Sequence, residues 1–269
     1  MLITASVVAI AAYLATAVTL LSYARKTPAI ATPRQLVGGL IACGVVAHTI
    51  STYLNIATAQ GLDLGFFPVS SLIFWFICCL ALVTYLRHKP IDRLLLLLFP
   101  MAALSVAVSV LFESVYTPRN DLDGGIVAHI LLSMLAYSVL TLAALQALLL
   151  GLQVRELKHK HTRGLIDALP PLQTMEQMLF ELIWMGFILL GLSILSGVVF
   201  LQDIFAQHLV HKTTFSICAW VIFAMLLWGR TYFGWRGKTA VRWTLIGFAL
   251  LMLGYFGSKV VLELILQRA

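Results

Sequence analysis

Charged side chains are scarce in this sequence: only 11% of its residues are Asp, Glu, Lys or Arg, whereas 61% are hydrophobic. A soluble domain carries roughly 25% charged residues. A chain of 269 residues with so few charges could not cover its surface with polar groups, so its solvent must be lipid. The net charge of +7 does not indicate nucleic-acid binding, because the basic residues stand in short segments between apolar runs.

Cysteine is also rare, and its spacing argues against two kinds of site. The four cysteines all fall inside apolar runs and none has a CxxC spacing: Cys43, Cys78, Cys79 and Cys218. A thiol–disulfide exchange site or a zinc site is therefore not expected. The sequence also lacks a Ser/His/Asp set, paired carboxylates and a phosphate-binding glycine loop, so it predicts neither hydrolase nor kinase chemistry.

Eight apolar runs are long enough to cross a membrane, for which a helix needs about 20 residues. They cover roughly residues 2–23, 36–56, 66–86, 94–113, 126–152, 178–201, 213–233 and 243–263. Only helices are expected, because backbone groups in lipid must pair internally and the runs are far longer than barrel strands. The sequence therefore predicts an all-α membrane protein, a polytopic bundle of eight transmembrane helices that forms one integral-membrane domain over 1–269.

The distribution of Lys and Arg predicts the orientation of these helices. Fourteen of the 18 basic residues lie in the segments after helices 1, 3, 5 and 7 or at the end of helix 7, and the other four lie on the opposite side. Because basic residues stay in the cytoplasm, both termini should face outside. Asp63, Asp121, Asp123 and Asp203 all fall on the poorly basic side, in agreement with this orientation.

Two histidines inside apolar runs are the main candidates for chemistry, since ionisable groups in a membrane are costly and often functional. At 1.5 Å per residue, His48 should lie about 18 Å from the cytoplasmic face and His129 about 5 Å from the outer face. Across a core of roughly 30 Å, their depths then differ by about 7 Å, and both could face one cavity in the outer half. Two imidazoles there would suit bis-histidine ligation of a haem. The alternative is that each histidine is a hydrogen-bonded core residue.

The segment between helices 6 and 7 contains two further histidines, His208 and His211. Three residues apart, they could contact a haem at the outer surface, with Lys212 or Arg119 pairing its propionates. The alternative is that they are ordinary exposed histidines. No metal other than haem iron is expected.

Four segments of the chain resemble the cytochrome c assembly proteins of the CcsA type, and more closely their small eight-helix relatives, the HemX- and YpjD-like inner-membrane proteins. The longest is "LLWGRTYFGWRGKTAVRWTLIGFALLMLGYFGSKVV", which begins at residue 226. The others are "AHTISTYL" at 47–54, "AHILLSMLAYSVLTLAALQALLL" at 128–150 and "LPPLQTMEQMLF" at 169–180. They occur in the same order as in the family and cover helix 2 and most of the chain from helix 5 onward.

The resemblance implies a membrane protein that handles haem. Members of the family carry haem across the membrane, or hold it at the outer face for attachment to apocytochrome c, and use histidine ligands. His129 stands where the family places an outer-face haem histidine, and His48 matches a histidine of the small relatives. The implied cofactor is haem, and the implied partners are haem and other cytochrome c biogenesis or membrane proteins, within a bacterial inner membrane.

The chain departs from its larger relatives at three places. Their tryptophan-rich motif should lie between helices 6 and 7, where this chain reads "LQDIFAQHLVHKTTFSICAW". Their further haem histidines, near Trp228 and near the C-terminus, are also missing. We therefore expect a haem-handling accessory protein and not an enzyme that attaches haem by itself. The alternatives are a transporter or accessory subunit for an ion or small solute, without haem, and a purely structural partner of another complex.

Overall fold

The computed structural model describes residues 1–25, 33–59, 61–87, 91–112, 123–158, 169–200 and 210–257. Over these residues the chain is mostly helical, as predicted, and forms eight α-helices. They are α1 Leu2–Arg25, α2 Arg34–Ile56, α3 Phe66–Leu86, α4 Asp92–Leu111, α5 Gly124–Lys158, α6 Leu172–Phe200, α7 Val210–Phe233 and α8 Lys238–Met252. Two short antiparallel strands, β1 Ala57–Thr58 and β2 Gly61–Leu62, form a hairpin between α2 and α3.

Among the described helices, seven are long and apolar enough to cross a membrane. The eighth, α8, has 15 α-helical residues and continues into a π-helical turn over Leu253–Gly257. The apolar run at 243–263 extends past the last described residue. The eighth crossing and the location of both termini outside therefore stay predictions.

The helices group into two compact units, and unit 1 comprises Met1–Asn120 and Thr162–Pro170. It contains α1 to α4 packed as a ring, since α1 and α3 each contact both α2 and α4. Tyr13 of α1 is fully buried, and its ring stacks on Phe99 of α4 with centroids 5.3 Å apart. Gly44 of α2 permits this packing, because a Cβ there would lie 2.7 Å from the Tyr13 ring.

Unit 2 comprises Asp121–His161 and Pro171–Ala269 and contains α5 to α8. These helices also form a ring, in which α5 and α7 each contact both α6 and α8. Gly186 of α6 packs directly against the Leu140 side chain of α5. Small residues at such crossings are typical of membrane helices, whose association depends on close van der Waals contact. That the chain forms one domain over 1–269 stays a prediction.

Candidate functional site

His129 lies near the N-terminal end of α5, and its imidazole faces the C-terminal part of α6. Nδ1 lies 2.9 Å from the carbonyl oxygen of Ser193 and 3.1 Å from Oγ of Ser196. A carbonyl oxygen can only accept a hydrogen bond, so Nδ1 must carry a proton and donate it. The neutral imidazole then keeps its lone pair on Nε2.

Three serines hold this imidazole in place. Ser133, one turn further along α5, donates its hydroxyl to the His129 carbonyl oxygen at 2.7 Å, and its Oγ lies 2.7 Å from Oγ of Ser193. Ser196 donates its hydroxyl to the Ser193 carbonyl oxygen at 2.8 Å. Because Ser193 is buried, little water competes for these hydrogen bonds. The serines therefore fix the side-chain orientation of His129 relative to α6.

The imidazole rests directly on the backbone of α6 at Gly197. A Cβ at this position would lie 3.0 Å from Cε1 and 3.3 Å from Nδ1 of His129. Carbon atoms pack favourably at about 3.5–4.0 Å, so a side chain at Gly197 would push the ring away. Gly197 therefore determines how closely the imidazole can approach the Ser193 carbonyl.

The donor set at His129 would fit a ligand of haem iron. Histidines that bind metals usually donate their other ring N–H to a carbonyl or carboxylate, which fixes the tautomer and orients the ring. His129 has this arrangement through Ser193. Nε2 has no hydrogen-bond partner among the residues that the structure describes, and the side chain is only partly buried.

His48 has a different environment, within the core of unit 1. Its side chain is fully buried, and both ring nitrogens have partners. Nδ1 lies 3.1 Å from Oη of Tyr13 on α1, and Nε2 lies 3.0 Å from Oγ of Ser71 on α3. A neutral imidazole has one donor and one acceptor, so these two hydroxyls satisfy it completely. Iron coordination by His48 would require one of these hydrogen bonds to break, and its role as a haem ligand stays a prediction.

Most of the predicted haem contacts at the outer surface lie outside the residues that the structure describes. His208, Arg119 and the side chain of His211 lie outside the described residues, so their roles stay predictions. Lys212, near the start of α7, is described, and its Nζ lies 5.9 Å from the ring centroid of Tyr255 beyond α8. That His48 and His129 serve one haem also stays a prediction.

The residues of α6 that contact His129 are not among the candidates from the sequence. Ser193, Ser196 and Gly197 form the segment "SILSG", whose small residues recur at three- and four-residue spacing. Such spacing is the signal of a helix-packing face in a membrane. It does not indicate which helix packs there, so it could not be linked to His129.

Comparison with known proteins identifies the family of this chain. The family described as "Cytochrome C assembly protein" matches residues 37–266. The chain belongs to this family. "Inner membrane protein YpjD" of Escherichia coli (strain K12) is 30% identical over 223 residues, which are 82% of this chain and 84% of that protein.

Other relatives are either less similar to the chain or match a shorter part of it. "Cytochrome c biogenesis protein CcsA" of Guillardia theta is 23% identical over 247 residues, 81% of this chain and 79% of the relative. An uncharacterised 28.8 kDa protein of Azospirillum brasilense is 34% identical over 140 residues, about half of each chain (51% and 52%). No solved structure matches the chain significantly.

The family confirms the resemblance to CcsA- and YpjD-like proteins that the sequence motifs indicate. Together with the seven long apolar helices, it identifies a multi-pass protein of the bacterial inner membrane. Membership of a cytochrome c assembly family supports a role in cytochrome c biogenesis and implies the handling of haem.

Proposed function

We propose that this protein is an accessory factor of cytochrome c biogenesis that holds haem in the outer half of the membrane through His129. One observation carries the proposal: the Ser193 carbonyl accepts the Nδ1 proton of His129 at 2.9 Å and leaves the Nε2 lone pair for a metal. The cytochrome c assembly family supplies the identity of that metal group, since its members handle haem.

Each residue of the cluster has a separate task in this proposal. Haem, when bound, would supply an iron centre that accepts a nitrogen lone pair. His129 provides that nitrogen, and the Ser193 carbonyl keeps the proton on the opposite ring nitrogen. Ser133 links the backbone of His129 to Ser193, and Gly197 leaves room for the ring against α6.

The location of the site follows from the proposed topology. We place eight helices across the membrane with both termini outside, which is supported by the excess of Lys and Arg after helices 1, 3, 5 and 7. The N-terminal end of α5 and the C-terminal end of α6 then lie at the outer side. We also propose that the protein does not attach haem to apocytochrome c by itself, because the sequence lacks the tryptophan-rich motif of the ligase relatives.

Haem titration of the detergent-purified, haem-free protein tests the proposed function. We expect a shift of the Soret band that saturates at one haem per chain. The reduced-minus-oxidised spectrum should be typical of histidine-bound haem iron. A matched titration of a membrane protein of similar size controls for haem partitioning into detergent micelles. A shift that grows linearly without saturation, as in that control, would refute haem binding.

Replacing Gly197 by Ala should weaken haem binding without removing the ligand. The added Cβ would lie 3.0 Å from Cε1 of His129 and displace the ring from the Ser193 carbonyl. Loss of such an orienting contact typically costs 10–100-fold in metal affinity, so we expect a decrease of roughly 10-fold. The matched control is Gly39→Ala on α2, where nothing lies within 4 Å of the new Cβ. Equal affinities for the two variants would contradict a role of Gly197 at the site.

A further inference from the structure

The turn between α7 and α8 carries a stack of aromatic rings. The rings of Phe233 and Trp235 stack with centroids 6.2 Å apart, and those of Trp235 and Trp243 with centroids 5.8 Å apart and planes within 10°. Gly229 lets this stack lie on α7, because a Cβ there would overlap the Trp235 ring. The backbone N–H of Trp235 also donates to the Gly229 carbonyl at 3.1 Å. These contacts therefore hold the stacked rings in a defined position within unit 2.

Large aromatic side chains beside this stack are exposed. Trp228, Tyr232 and Phe233 leave 62%, 74% and 73% of their surfaces uncovered within the described structure. The apolar span of α7 ends at Phe233, so these rings lie at a membrane–water boundary. Tryptophan and tyrosine are enriched at that boundary because their rings are amphipathic. At this depth the three rings would contact the acyl chains and glycerol groups of lipids.

Basic side chains lie on the same surface, beyond the end of the apolar span of α7. Arg236, Lys238 and Arg242 are exposed, and the last two stand one helical turn apart at the start of α8. Arg230 lies over the Phe180 ring of α6, with Cζ 3.7 Å from the ring centroid, and adds a fourth positive charge.

One carboxylate on this surface is already engaged. Glu176 of α6 accepts the backbone N–H of Gly237 at 2.7 Å, where the chain enters α8 with φ +56°. An anion at this turn would therefore meet the basic side chains, while the N–H of Gly237, the N-cap residue of α8, stays with Glu176. The surface retains an excess of positive charge.

We propose that the α7–α8 turn binds an anionic phospholipid, with the phosphate held by Arg236, Lys238 and Arg242 and the lipid body packed on the exposed rings of Trp228, Tyr232 and Phe233. Phosphate is the anion present at this depth, because the basic residues lie just beyond the end of an apolar span. A nucleic acid or an acidic protein could meet the charges, but neither would cover aromatic rings at the boundary of the lipid. The site is independent of the proposed haem site.

Native mass spectrometry of the detergent-purified protein tests this proposal. The protein is titrated separately with phosphatidylglycerol, cardiolipin and phosphatidylethanolamine of equal chain length. Lys and Arg side chains near a membrane surface favour anionic lipid over neutral or zwitterionic lipid. We expect the two anionic lipids to bind at concentrations about 10-fold or more below that needed for phosphatidylethanolamine.

A matched pair of variants separates a site from general attraction. Arg236→Gln/Arg242→Gln should lose the preference for anionic lipid. Arg155→Gln/Lys158→Gln removes the same number of charges from the exposed end of α5 and should keep it. Equal losses in the two variants, or no lipid preference in the unmodified protein, would overturn the proposal. Because the titration uses haem-free protein, either result leaves the proposed haem function unaffected.

Discussion

His129→Gly should abolish saturable haem binding. The substitution removes the imidazole whose Nε2 lone pair is available, while Ser193, Ser196 and Ser133 remain. Mutations of groups that merely orient a ligand cost about 10–100-fold in metal affinity, so loss of the ligand itself should exceed that range. The measurement is the haem titration, with His161→Gly, in the basic stretch "KHKHTR" of the sequence, as the control that removes a different histidine.

Rescue with free imidazole makes this prediction specific to coordination. His129→Gly leaves a gap beside Gly197 in which imidazole could replace the missing ring. We expect millimolar imidazole to restore the Soret shift of the variant and to change the unmodified protein little. A purely structural role of His129 would give loss of thermal stability with no rescue of the spectrum. Unchanged haem affinity in the variant would exclude His129 as the ligand.

Helix positions could be predicted because each crossing needs a long apolar run. The run at 66–86 coincides with α3 at both ends. The apolar runs stop short elsewhere: α5 continues from residue 152 to Lys158, and α6 begins at Leu172, six residues before the run at 178–201. These extensions contain residues such as Arg155 and Gln173, which favour helices but are not apolar. Apolar runs mark the part of a helix that lies inside the membrane, and they miss the turns that extend into water.

The ligand could be singled out from the sequence, but its surroundings could not. His129 attracts notice because a histidine in an apolar run is costly. Its partners come from α6, and Ser193 stands 64 residues further along the chain. Which face of α6 meets His129 depends on the register of the two helices, which close contacts such as that of Gly186 with Leu140 determine. Register follows from packing between helices, and the pattern of apolar residues along one helix does not indicate it.

His48→Ala should destabilise the protein strongly, whatever its role toward haem. The substitution empties a fully buried position and leaves the hydroxyls of Tyr13 and Ser71 without their partner. Buried polar groups that lose a partner cost about 1–3 kcal/mol, and hydrogen bonds between membrane helices average about 0.6 kcal/mol. We therefore expect a loss of roughly 2–4 kcal/mol, including the cavity left by the ring. Thermal unfolding in detergent measures it, with Val46→Ala on α2, whose side chain is 61% exposed, as the control.

Tyr13→Phe separates the hydrogen bond from the packing of His48. Phenylalanine keeps the stacking on Phe99 but removes the hydroxyl 3.1 Å from Nδ1, so we expect about 1 kcal/mol of destabilisation. The His48→Ala/Tyr13→Phe double variant should then be more stable than the sum of the two losses predicts, because the residues are in contact. Additive losses would contradict a direct interaction.

The haem spectrum of the same variants decides whether His48 is also a haem ligand. If His48 binds the iron, His48→Ala must alter the spectrum and Tyr13→Phe must leave it intact. If His48 belongs only to the core network, the two variants change stability alone.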